Sequence, residues 1–316
     1  MQPFAFVFPG QGSQAVGMLD AWGDHPALQA TLQEASDALG EDVAALIHAG
    51  PKEALALTTN TQPVMLVAGV AAWRVWRAEG GALPAVLAGH SLGEYSALVA
   101  AGALTLTQAA PLVRFRAAAM QDAVPLGTGA MAAVLGLDAA RVQAVCAQVQ
   151  AGFGADSAEV VEAVNFNDPA QTVIAGSRAA VEQACERLKA AGAKRTLALP
   201  VSAPFHSSLM KPAAAKLRQQ LAATAFAAPQ IPVLNNVDVL VEADPQRIRD
   251  ALYRQAFAPV RWVECVAAIK ARGVRTLVEC GPGKVLTGLT RRIDAELLAS
   301  ALYDPATLSD VKALLA

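Results

Sequence analysis

Several things are scarce in this sequence. Its four cysteines, Cys146, Cys185, Cys265 and Cys280, share no CxxC spacing, and each sits in an apolar stretch. This argues against a disulfide framework or a zinc site and fits reduced core thiols of the cytoplasm. Charge is sparse: 16% of residues are Asp, Glu, Lys or Arg, and the net charge is -2. Such a balance gives no general attraction to nucleic acid or to an anionic membrane. The longest apolar run, Val64 to Trp73, stops at Arg74, far short of a bilayer span. No basic stretch precedes the first apolar run, which therefore reads as a strand rather than a secretory signal. Internal repeats and low-complexity tails are missing. We expect a cytoplasmic monomer with neither nucleic acid nor membrane as partner.

What the chain does have is apolar bulk. With 54% hydrophobic residues among 316 it can bury a large core, and its length exceeds one typical domain. Short apolar runs alternate with helical patterns, which predicts an α/β protein with a largely parallel sheet. One segment breaks this rhythm. "AMAAVLG", residues 130 to 136, reads as a strand, and Asp138 is placed to cap a helix to about Gln150. "VVEAVNF" and "QTVIAG" read as two strands joined by a turn at Asn167, Asp168 and Pro169. Ser177 is placed to cap a helix to Ala191, and "KRTLALP" supplies a last strand. The order βαββαβ is that of a ferredoxin-like unit, inserted at residues 127–199 between two pieces, 1–126 and 200–316, of a larger domain. Such an insertion creates a cleft, a common place for a small-molecule site.

Two glycine-rich turns compete for attention. "FAFVFPGQGSQA", residues 4 to 15, carries Gly10, Gly12 and Ala15 at the GxGxxA spacing of dinucleotide-binding loops. Yet Trp22, Gly23, Asp24, His25 and Pro26 follow too soon for a crossover helix to open there. A tight turn after a strand explains the glycines but not Gln11 and Gln14. The second turn, in "PAVLAGHSLGEYSALVAAGAL", is GxSxG between an apolar strand and a helix, the context of a nucleophile elbow at Ser91. Its glycines permit a sharp turn, and the helix start supplies donors for a developing oxyanion. The plainer alternative is a turn whose serine only caps the helix.

A nucleophilic serine needs a base, and there are four histidines to choose from. His90 abuts Ser91 and should point away from it, while His25 and His48 read as loop or cap residues. His206, in "LPVSAPFHSSLMKP", stands where the chain re-enters the large domain, within reach of the cleft. It is the candidate base. Arg116, in "TQAAPLVRFRAAAMQ", lies four residues after Leu112 and four before Met120, on the apolar face of a helix for which Thr107 is the expected cap. Arg114 points roughly the other way. An unpaired buried guanidinium costs on the order of 3 to 5 kcal/mol, so Arg116 needs an anionic partner. An internal Asp or Glu would serve; so would a substrate carboxylate, and bidentate pairing would then select a dicarboxylic acyl group.

The segments "FPGQGSQ", "TQPVMLV", "GHSLGEY", "RFRAAAMQ", "NFNDPAQTVIAG", "PFHSSLMKP", "RQAFAPVRW" and "GPGKVLTGLTRRI" occur together and in order along nearly the whole chain. Jointly they resemble the malonyl-CoA:acyl carrier protein transacylase family of fatty acid synthesis, related to polyketide acyltransferase domains. The resemblance implies an α/β-hydrolase-like large domain carrying a ferredoxin-like small one. It implies transfer of malonyl from malonyl-CoA to the phosphopantetheine thiol of acyl carrier protein, with no bound cofactor and no metal. By position, Ser91 matches the nucleophile, His206 the base and Arg116 the carboxylate clamp. The N–H groups of Gln11 and Leu92 match the oxyanion hole, and Gln255 the residue whose main-chain carbonyl orients the histidine. Gln62 and Asn165 match residues lining the acyl and pantetheine cleft. "GPGK" lacks the Walker A spacing and reads as a turn.

Two positions depart from or vary within the family pattern. Ala117 stands where glycine commonly follows the arginine, which a helix tolerates well. Phe205 resembles the malonyl-selecting polyketide version, whose bulk leaves little room for an α-methyl; one methyl is worth about 1 to 3 kcal/mol. Lys189, Lys194, Arg195, Lys284, Arg291 and Arg292 are candidate contacts for an acidic carrier, with solvated surface charge as the alternative. Two other functions share these features. A hydrolase would let water reach the acyl-serine, and a noncatalytic carrier-binding subunit would have no need of Ser91, His206 and Arg116 together.

Overall fold

A computed structural model describes residues 2–154, 156–201 and 203–316. The chain opens with β1 (Phe4–Phe8), followed by α1 (Pro26–Leu39), α2 (Val43–Ala49), α3 (Lys52–Ala56) and α4 (Thr58–Ala78). Then come β2 (Val86–Gly89), α5 (Gly93–Ala100) and α6 (Leu106–Gln121). The middle segment holds β3 (Gly129–Leu135), α7 (Ala139–Gly152), β4 (Val161–Asp168), β5 (Gln171–Ser177), α8 (Arg178–Ala190) and β6 (Arg195–Ala198). The last part runs α9 (Lys211–Ala223), β7 (Val233–Leu234), α10 (Pro245–Gln255), α11 (Trp262–Ala271), β8 (Thr276–Cys280), α12 (Val285–Ile293), β9 (Leu298–Leu302) and α13 (Pro305–Leu315).

Five strands form an all-parallel sheet in the order β7-β2-β1-β8-β9. β1 lies at its centre, and its sequence FAFVF shows why. Phe4, Phe6 and Phe8 face one side, where Trp73 and Trp76 of α4 pack edge-on against Phe6. Ala5 and Val7 face the other, in a core with Trp262 and Val266 of α11. A strand buried on both faces reads as a continuous apolar run, and the sheet is accordingly covered by helices on both sides. The expected mixed α/β fold with a parallel sheet is what is found.

The other sheet is antiparallel, in the order β4-β5-β3-β6, and draws all its strands from residues 129–198. α7 and α8 pack on one face of it, which gives the βαββαβ arrangement expected of this segment. Asp138 accepts from the Arg141 N–H as the expected cap of α7. Three local expectations need correction. β4 runs through Asn167 and Asp168, so the hairpin turn is tighter than expected. Ser177 stands at the N-cap position of α8, but its hydroxyl accepts from the Val160 N–H instead of capping the helix. α6 is capped not by Thr107 but by Thr105, through a reciprocal capping box with Gln108. The Thr-x-x-Gln spacing carries that signal, and Thr107 instead donates to Glu34.

The two sheets are stitched together. Val260 exchanges backbone hydrogen bonds of 2.9 Å with Val164 and Phe166 of β4, and Arg292 on α12 donates to Asp168 at 2.6 Å. No helix is long and apolar enough to cross a membrane among the described residues. All four thiols are free.

Candidate active site

The site lies beyond the carboxyl ends of β1 and β2, where ligands of parallel sheets bind. β2 ends at Gly89 and α5 begins at Gly93, leaving His90, Ser91 and Leu92 for the turn. A Cβ on Gly89 would lie 1.9 Å from the Gly93 carbonyl carbon, and one on Gly93 would lie 2.1 Å from the Phe8 oxygen. Only glycine lets the helix start this close to the strands. Ser91 pays for the sharp turn with a φ of +52°, and His206 has +65°. Besides Val239, they are the only non-glycine residues with positive φ among the described residues. Strain of roughly 1 to 3 kcal/mol each is thus held at the two groups that meet.

Ser91 Oγ lies 2.7 Å from His206 Nε2, and His206 Nδ1 lies 2.8 Å from the Gln255 carbonyl oxygen. That oxygen can only accept, so Nδ1 carries the proton and Nε2 presents its lone pair to the serine hydroxyl. Burial pushes the His206 pKa down to about 3, and the nearby Arg116 guanidinium adds to this. The imidazole is neutral at physiological pH and able to take a proton. His90 turns away as expected, with Nε2 2.9 Å from Asn167 Oδ1. His25 caps α1, and His48 pairs with Asp20.

Arg116 is 1% exposed. It donates to Gln62 Oε1 at 2.7 Å, to Gln255 Oε1 at 3.1 Å and to Ser91 Oγ at 3.3 Å, and its guanidinium lies 5.5 Å from the centre of the Tyr95 ring. No carboxylate lies within ion-pair distance of it among the described residues. The internal Asp or Glu considered from the sequence is therefore not in direct contact with it; Glu94 acts on the guanidinium through space and through the Gln255 amide. Arg114 does point away, to Glu41 and Asn60.

Gln11, Gln62, Ser91, Leu92, Arg116, Asn165, Phe205 and His206 all line one cavity of about 290 Å³. Gln255 is fully buried behind it. In the first loop Gln14 accepts from the Gly12 N–H at 2.7 Å and so shapes the turn. The N–H groups of Gln11 and Leu92 donate to no other group among the described residues. The Asn165 side-chain oxygen is likewise buried without a partner. "GPGK" is an irregular bend between β8 and α12, and no metal-sized cluster of His, Cys, Asp and Glu occurs among the described residues.

Two residues escaped the sequence reading. The Asn236 side chain accepts from the Ser91 N–H at 2.8 Å and donates to the Gly89 carbonyl at 2.7 Å, bracing the turn from a position 145 residues away. Glu94 is buried, accepting from the Asn236 N–H and from Gln255 Nε2, both at 2.9 Å. Burial pushes its carboxyl up to about 7. No local pattern marks Asn236, whereas Glu94 was visible as a carboxylate directly after GxSxG.

A profile described as the acyl transferase domain matches residues 5–296. The chain belongs to this family. Within it, the malonyl CoA-acyl carrier protein transacylase of Salmonella typhimurium is 55% identical over 310 residues, 98% of each chain. A solved acyl-carrier-protein S-malonyltransferase from Burkholderia pseudomallei is 60% identical with a TM-score of 0.95, covering 98% of this chain and 99% of that one. A malonyl-transacylase solved in complex with a type II PKS acyl-carrier protein is 52% identical with a TM-score of 0.94, covering 97% and 98%.

Proposed function

We propose that the chain is a malonyltransferase of fatty acid synthesis, moving malonyl from malonyl-CoA to the phosphopantetheine thiol of acyl carrier protein through an ester on Ser91. The observation that carries this reading is a buried guanidinium without a carboxylate partner, facing a serine–histidine pair in one cavity. The names of the relatives, and the carrier protein bound to one of them, support the same substrates.

In the first half-reaction His206 Nε2 takes the Ser91 Oγ proton as Oγ bonds to the thioester carbon. The C–S bond then breaks, and the imidazolium returns the proton to the CoA sulfur. The N–H groups of Gln11 and Leu92 receive the developing oxyanion, one such donor being worth about 3 kcal/mol. In the second half the carrier thiol gives its proton to His206 and attacks the ester, and the proton returns to Ser91 Oγ. Arg116 holds the malonyl carboxylate throughout. That carboxylate also offsets the guanidinium charge, one of the causes that weaken His206 as a base. Substrates with the negative charge thereby improve the base that attacks for them. Gln62 anchors Arg116, Asn165 offers its unpartnered oxygen to the pantetheine arm, and Phe205 narrows the space beside the acyl carbon. Gln255 orients the imidazole through its carbonyl.

Residues 127–199 act in this reading as a separate domain roofing the cleft over the large domain of 1–126 and 200–316. The protein works as a cytoplasmic monomer without a bound cofactor, and its free thiols, pushed up by burial, suit a reducing compartment. Initial rates at varied malonyl-CoA and carrier concentrations test the scheme. Parallel double-reciprocal lines are expected, and intersecting lines would show that no acyl-enzyme carries the group.

A further inference from the structure

The transfer scheme leaves a buried carboxylate beside the reacting groups without a task. Glu94, on the first turn of α5, is 2% exposed and directly behind the reacting groups. Its Oε2 accepts from Gln255 Nε2, which also donates to the Ser91 carbonyl at 3.0 Å. An ionised carboxylate and a carbonyl are acceptors only, so together they fix which end of the Gln255 amide faces them. The NH2 turns to Glu94, and the amide oxygen is left facing Arg116 at 3.1 Å. The same Glu94 oxygen holds the Asn236 N–H, and the Asn236 side chain braces the Ser91 turn.

We propose that Glu94 is a positioning residue for the acyl carboxylate: ionised, it locks the Gln255 amide so that its oxygen, with that of Gln62, aims the Arg116 guanidinium at Ser91. This rests on the transferase reading above. A protonated Glu94 can donate as well as accept, so its share of the hold is lost and only the Ser91 carbonyl still selects the amide orientation. A flipped Gln255 would set NH2 against the guanidinium, donor against donor, and Arg116 would turn from the acyl site. Malonyl transfer suffers, whereas acetyl transfer, which has no use for the clamp, is spared.

The groups facing Glu94 are Arg116 on α6, Asp238 after β7, Cys265 on α11 and Tyr95 on its own helix. Burial pushes the Cys265 thiol and the Tyr95 phenol up, so neither ionises below pH 8. Burial, with Asp238 adding to it, outweighs Arg116 and the hydrogen bonds and brings the Glu94 carboxyl to about 7. His206, at about 3, does not titrate in this range.

The experiment measures Ser91 acylation by malonyl-CoA and by acetyl-CoA from pH 5.5 to 8.5, by intact-protein mass, for the wild type and Glu94→Gln. In the wild type the malonyl-to-acetyl rate ratio should fall about tenfold or more from pH 8.5 to 5.5, with its midpoint near 7. Glu94→Gln should show a low ratio at every pH, without that inflection. A flat wild-type ratio overturns the proposal, as does a variant whose ratio and profile match the wild type. Should the variant fail to fold, the wild-type profile decides alone. Absence of any malonyl adduct on the wild type would overturn the transferase reading and this inference with it; an adduct with a flat ratio overturns only the inference.

Discussion

Replacing Arg116 by Ala separates the clamp from the rest of the machinery. The side chain is buried and held by two glutamine oxygens, and no carboxylate pairs with it directly among the described residues, Glu94 reaching it only through the Gln255 amide and through space. Removing one partner of a buried, hydrogen-bonded charge pair costs about 2 to 5 kcal/mol. At 1.4 kcal/mol per tenfold, malonyl kcat/KM should fall by roughly thirtyfold to several thousandfold. Acetyl-CoA brings no charge, so it loses no pair in the variant. It gains instead, because removing the guanidinium lifts one of the causes that hold the His206 pKa down. The assay is kcat/KM for both thioesters with a common carrier, alongside a thermal melt to verify folding. The malonyl-to-acetyl preference should drop by at least the malonyl loss. An equal loss with both thioesters would mean that Arg116 only supports the structure, and would refute the clamp.

The Ser91 turn and the buried His206 lead to further outcomes. Gly93→Ala forces a Cβ to 2.1 Å from the Phe8 oxygen, a backbone atom with no room to retreat. It should lower the melting temperature and cost about 3 kcal/mol, while Gly288→Ala on α12, whose nearest neighbour is a flexible arginine tip at 3.6 Å, should be neutral or slightly stabilising. Equal melts for the two would contradict the close-approach argument. The depressed pKa of His206 means that the unfolded chain binds more protons between about pH 3 and 6.5. The contribution of His206 to stability therefore falls as pH drops below 6.5, opposite in sign to that of Glu94, and in melts recorded from pH 7 to 5 the wild type should lose stability relative to His206→Gln as pH drops. Identical slopes would mean that the imidazole is not held neutral by the fold.

That Ser91, His206 and Arg116 meet in one cavity was legible from short patterns and a short list of histidines. GxSxG between strand and helix dictates a turn; i, i+4 spacing places Arg116 on an apolar face; few histidines compete for the base. The strand β1 and the inserted βαββαβ segment were legible for a similar reason, since a continuous apolar run and turn residues between strand and helix patterns report on neighbours in sequence. Asn236 was not, because its role depends on an amide meeting the Ser91 backbone across 145 residues. Neither could the sequence settle the partner of Arg116, since excluding an internal carboxylate needs every helix in place. Ser177 and Thr107 show the converse limit. Both are good cap residues by type, but Ser177 is used by an adjoining strand end and Thr107 yields to the Thr105–Gln108 pair.

The most direct test of the central claim is the intact mass of the protein after incubation with malonyl-CoA alone, beside a Ser91→Ala control, followed by addition of carrier protein. A single malonyl adduct that persists, requires Ser91 and discharges onto the carrier is the predicted result. An adduct that never accumulates while free malonate appears would contradict it and make the protein a hydrolase.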